Sequence, residues 1–126
     1  MVKWDTWKVA DLVASATALA SAEGPFRLVE LSGEADMTSR HLKDVLDAEV
    51  AARPLLLVVD LSRLTFMDSW AMHTILSAAR SLRGAGGTLT LAGPSGEVRR
   101  VLELTGADTL VGVYASVQEA SAYQAR

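Results

Sequence analysis

Leu55-Leu56-Leu57-Val58-Val59 is an unbroken apolar run of strand length. A strand that is apolar at every position has both faces covered, as in the centre of an α/β sheet. Pro54 precedes it and stops any helix that arrives from the N-terminal side. The run is expected to end in Asp60-Leu61-Ser62, and a short connection then leads to Phe66-Met67-Asp68-Ser69.

Upstream, Phe26 to Leu31 alternates apolar and polar residues, which predicts a strand ending at Ser32-Gly33. From Thr38 the period becomes helical: Leu42, Val45, Leu46, Glu49 and Val50 fall on one face, with Asp36 or Thr38 available as N-cap. Downstream of Ser69, a second amphipathic helix is expected to run to about Arg83, with Met72, Ile75, Leu76, Ala79 and Leu82 inward. Gly84, Gly86 and Gly87 stop it, and Thr88 to Ala92 reads as the next strand. Glu97 to Leu104 is a short helix closed by Gly106, and Val111 to Tyr114 a last strand. Ser116-Val117-Gln118-Glu119 has the capping-box pattern of a final helix.

This β-α-β-α-β-α-β-α order predicts one α/β domain over residues 25–126. It implies a mostly parallel central sheet of four to five strands with about four helices and right-handed crossovers. Residues 1–24 form an N-terminal segment that reads equally as a strand or a short Ala-rich helix. Lys3, Lys8 and the stretch Ala18 to Ala22 imitate a secretory signal, but Asp5 and Asp11 interrupt it, and an ordinary first element is the simpler reading.

Composition narrows the function. The 126 residues carry a formal net charge of -3, which leaves no basic footprint for nucleic acid or an anionic membrane. No apolar run reaches the roughly 18–20 residues of a spanning helix. Cysteine is absent, which removes disulfides, thiol catalysis and cysteine-ligated zinc and suits the cytoplasm. With His41 and His73 the only histidines, no metal site or other cofactor is expected.

Sites on open α/β sheets gather where strands end and helices begin. Four connections qualify: Gly33 to Asp36, Asp60 to Ser69, Ala92 to Glu97, and Ala115 to Ser116. Asp68-Ser69 is the richest step, since it opens the second helix where unpaired N–H groups and the positive dipole end point outward. Asp or Ser there can be simply an N-cap. Ser69 as a phosphate acceptor is the functional alternative: the dipole would favour the phosphate and Asp68 would repel it. Trp70 falls nearly opposite the apolar face of that helix, on the side of Thr74, Ser77 and Ser81 with His73 nearby, which leaves two readings: a loop or the N-terminal segment covers it, or it stands exposed as an interface anchor. Catalysis has little support. The glycines at 84, 86 and 87 lead into a strand, not a phosphate-binding helix, and no base is evident for Ser69 as a nucleophile. Asp36, Asp60 and Asp68 gathered at one sheet edge would be a magnesium site, a third option.

Gly33-Glu34-Ala35-Asp36, the strand Leu56 to Leu61 and Phe66-Met67-Asp68-Ser69 together resemble the STAS domain of anti-sigma factor antagonists. Thr88 to Pro94 and Val98 to Gly106 are similar to the same family, and the resemblance spans about residues 26–120. It implies a non-catalytic partner-switching protein that binds an anti-sigma factor with serine kinase activity and is phosphorylated at Ser69. The implied partner surface comprises Asp36, Asp68, Ser69, Trp70, His73, Thr74 and Ser77. Where the family continues with Ser or Thr and then Gly, this chain has Trp70 and Ala71. That departure looks more like the stressosome scaffold branch, so a scaffold acting through self-association is the second reading.

Overall fold

The computed structural model describes residues 11–122. Five strands form one sheet in the order β1-β2-β3-β4-β5. They are β1 (Leu12–Ser21), β2 (Gly24–Ala35), β3 (Leu56–Met67), β4 (Thr88–Ala92) and β5 (Gly112–Tyr114). β1 runs antiparallel to β2, and every other neighbouring pair is parallel. The helices are α1 (His41–Ala51), α2 (Ser69–Gly84), α3 (Gly96–Thr105) and α4 (Val117–Ala122), with a 3-10 turn at Ala107–Thr109. Five strands, mostly parallel, and four α-helices match the expected class. Of the two forms open for the N-terminal segment, residues 12–21 take the strand.

Sequential parallel strands joined by right-handed crossovers carry their helices to one face. Leu57, Val59 and Leu61 of β3 accordingly pack with Leu42 and Leu46 of α1, Ile75 and Leu82 of α2, and Val98 and Leu102 of α3. Leu56 and Val58 point the other way, into a smaller core with Phe26, Leu28 and Ala120 of α4. Leu56 to Val59 are thus buried on both faces, whereas Leu55, the first residue of the apolar run, precedes the strand and is exposed. Inward-facing Glu49 is balanced by Arg27 of β2, whose guanidinium donates to both carboxylate oxygens at 2.7 and 3.0 Å.

Three expectations are corrected. β2 does not end at Ser32-Gly33 but continues to Ala35, held there by its pairing with β3. β3 does not end at Asp60-Leu61-Ser62 but continues to Met67 beside β2. Two register shifts, at Glu30/Ser32 and Gly33/Glu34, each give β3 one residue more than β2. Buried positions therefore recur every third residue, at Leu61, Leu64 and Met67, and the strand loses its alternation. The first helix starts at His41, not near Thr38, and Arg40 at its cap makes no side-chain capping bond. Asp36 is spent on a tight turn instead: its carboxylate accepts from Thr38 N at 2.8 Å and from the Thr38 hydroxyl at 2.5 Å. Buried Ser39 closes the turn, accepting from Asp36 N and donating to Glu34 O.

Gly33 is where β1 and β2 meet most closely. Its φ is 98°, and a Cβ there would lie 2.0 Å from the Asp11 carbonyl oxygen, the acceptor for Glu34 N. Gly33→Ala is expected to cost about 2 kcal/mol or more from left-handed strain plus the clash. The readout is a lower urea midpoint at unchanged slope. Gly86→Ala, at φ 92° but with nothing near its Cβ, should cost less.

Candidate functional site

The carboxyl ends of β2 and β3 lie side by side, with Ala35 paired to Met67. Asp68 follows, in extended conformation, and caps α2: its Oδ1 accepts from Ala71 N at 2.9 Å. Its Oδ2 accepts from Met37 N in the β2–α1 loop at 3.0 Å, while its own N–H donates to Ala35 O at 3.0 Å. One residue thus ties the helix start to the end of β2 and to the loop beyond. Asp36, next to Met37, is held below the usual carboxylate range by the Thr38 hydroxyl and backbone N–H. It is anionic at neutral pH.

Ser69 is the first residue of α2 and is exposed, and its hydroxyl has no partner among the described residues. The Ser69 and Trp70 N–H groups also lack an acceptor there. The capping reading is therefore filled by Asp68, which leaves the Ser69 oxygen uncommitted.

Of the two readings open for Trp70, cover holds over full exposure. It is half-buried and packed against the main core. The helical wheel places it away from the sheet, but α1 lies alongside α2 and Trp70 packs against the core the two helices share. A groove of about 450 Å³ runs between the two helices, lined by Lys43, Asp47 and Val50 of α1 and by Trp70, His73, Thr74 and Ser77 of α2 among others. The four α2 residues singled out from sequence therefore share one groove, while Asp36, Asp68 and Ser69 cluster at the helix start. Thr74 directs its hydroxyl to Trp70 O of its own helix, at 2.8 Å.

Asp60 does not join that cluster. It accepts from Ser62 N and pairs with Ala92 at the end of β4, with the last seven residues of β3 between it and Asp68. β2 covers the stretch from Asp60 to Met67 in five steps, Glu30 to Ala35, so at about 3.3 Å per strand residue the separation is on the order of 20 Å. No group of three or more potential metal ligands occurs among the described residues. The magnesium option fails on geometry.

Residues 17–120 match the STAS domain. The chain belongs to the STAS domain family. A protein of Thermotoga maritima is 35% identical over 60 residues, 48% of this chain and 53% of that protein, so the STAS chain spans about half the length of this relative. The anti-sigma-B factor antagonist of Listeria monocytogenes is 29% identical over 84 residues, 66% of this chain and 74% of its own. Among solved structures, an anti-sigma factor antagonist from Mycobacterium paratuberculosis superposes with a TM-score of 0.71 at 29% identity, covering 84% of this chain and 91% of that one.

Two residues of this STAS domain escaped the sequence reading. Met37 is 65% exposed and Phe66 43%, and each lies within two residues of the Asp36 or Asp68 carboxylate in the chain. They add exposed apolar side chains to the loop and strand end that carry the two carboxylates. The sequence marks Phe66 only as the start of the Phe66-Met67-Asp68-Ser69 step, and the shifted pairing of Phe66 with Glu34 accounts for its outward side chain.

Asp68→Ala removes both the cap and the loop bond and is expected to destabilise by about 1–2 kcal/mol, the range of a lost N-cap. Faster amide exchange should appear at Ala71 and Met37 together. Asp68→Asn, which retains an acceptor oxygen, should keep the Ala71 bond.

Proposed function

We propose that this STAS domain is a non-catalytic anti-sigma factor antagonist that works by partner switching. Unphosphorylated, it binds an anti-sigma factor with serine kinase activity and so frees a sigma factor. That kinase phosphorylates Ser69, and the complex separates. The observation that carries this reading is the division of labour at the start of α2: Asp68 caps the helix and Ser69 stands exposed beside it. The names of the Listeria and Mycobacterium relatives support the same class.

The physical logic of the switch follows from charge. A phosphoserine carries about -1.5 to -2 charges at neutral pH. The open N–H groups of Ser69 and Trp70 and the helix dipole would hold it, so the domain stays folded. Asp68 and Asp36 nearby repel it. In a complex, the dianion would have to be buried against Met37 and Phe66, where removing its water is costly. A surface with exposed apolar side chains that a partner can cover before modification becomes unfavourable to cover afterwards. The partner surface would extend from these residues along Trp70, His73, Thr74 and Ser77.

Incubation with a candidate anti-sigma kinase and ATP should add the mass of one phosphate, and Ser69→Ala should abolish it. Ser69→Ala should still bind the unphosphorylated-state partner. A phosphoserine installed at position 69 should weaken that complex at least tenfold, about 1.4 kcal/mol. Undiminished phosphorylation of Ser69→Ala contradicts the acceptor assignment.

A further inference from the structure

We propose that β1 is a self-association edge, through which two copies of this chain pair antiparallel into one continuous ten-stranded sheet. The site is remote from Ser69 and does not depend on the switch. β1 is the outer strand of the sheet, ten residues long, whereas the opposite edge, β5, has three. An outer strand presents a row of backbone N–H and C=O groups without partners, and natural sheets blunt such rows with charge, proline, bulges or a covering element. Among the described residues none of these devices occurs along β1 beyond its first residue, whose carbonyl oxygen lies 2.8 Å from His41 Nε2. Leu12–Ser21 contains no charged residue and no proline, and its ladder with β2 runs without a register shift. Ser15 to Ala20 are exposed at every position. Val13 and Leu19 on the same face are 58% and 42% exposed.

The occupant is a second copy because the strand complements itself. Pairing two β1 strands about a two-fold axis at Ala16 keeps each residue opposite one of the same face, as an antiparallel ladder requires. In that register Val13 meets Leu19 of the second copy and Leu19 meets Val13. Ser15 meets Thr17, Ala14 meets Ala18, and Ala16 meets itself. The apolar pair falls together twice and the hydroxyl pair twice, and such cross-strand pairs stabilise a ladder. The chain carries a net charge of -3, so two copies repel in general. The charge-free strand is where they can approach, since Asp11 and Glu23 lie beyond its two ends.

The test uses the full chain. Light scattering after size exclusion should give a mass that rises with concentration toward twice 13.4 kDa. Ala16→Lys sets two ammonium groups against each other at the axis, and should give a monomer with an unchanged circular dichroism spectrum. The chain has no cysteine, so introduced thiols are unique. A short-arm bis-maleimide should cross-link Ala16→Cys into dimers but not Val13→Cys, whose two thiols would stand about 20 Å apart along the paired strands. A monomer at every concentration overturns the proposal, and would also be the result if residues 1–10 or another protein's strand occupied the edge. A dimer that survives Ala16→Lys, or that cross-links equally at both positions, overturns it as well.

Discussion

One carboxylate holds the candidate site together. Asp68 accepts from Ala71 N with one oxygen and from Met37 N with the other, and its backbone N–H reaches Ala35. The start of α2 and the loop after β2 are therefore one unit. Without that side chain, the helix would keep an orphan donor and the loop would lose its anchor. Ser69 is uncommitted because Asp68 has already done the capping. An exposed hydroxyl on an anchored frame is what an external kinase needs, whereas a nucleophile would need a base of its own.

The two extra residues in β3 set the height of this frame. By lengthening β3 against β2 they carry the chain past the end of β4, which pairs only as far as Asp60. Met67 is thereby delivered opposite Ala35 with Asp68 just beyond it, and Asp60 is left behind at the β4 level. The same shifts turn Leu61, Leu64 and Met67 inward at every third position and leave Phe66 exposed beside the site. Sheet irregularity, not loop length, brings Asp36 and Asp68 to the same end and keeps Asp60 away.

Much of this was legible from residues alone. The apolar run specified a strand covered on both faces, which holds for Leu56 to Val59 though not for exposed Leu55, and the glycine and proline stops marked the element order. The Asp68-Ser69 step stood out because helix starts are chemically special. What escaped reading had physical reasons. The end of β3 has a period of three, which alternation rules do not recognise. Glu49 sits among apolar positions because Arg27, more than twenty residues earlier, neutralises it. Trp70 was placed by the geometry of one isolated helix, and the neighbour that shelters it, α1, is a tertiary fact. Asp36 resembled an N-cap, but Thr38 competed for its carboxylate and the helix began later.

The central claim is that phosphate at Ser69 acts on the Asp68–Met37 frame and leaves the domain's core as it was. Two-dimensional amide NMR of the chain with Ser69 and with phosphoserine at position 69 tests this most directly. The account predicts large shifts at Met37, Ser69, Trp70 and Ala71, and unchanged signals for Leu57, Val59 and Leu91 in the sheet. Unshifted Met37 and Ala71 amides, or a general collapse of the sheet signals, would contradict it.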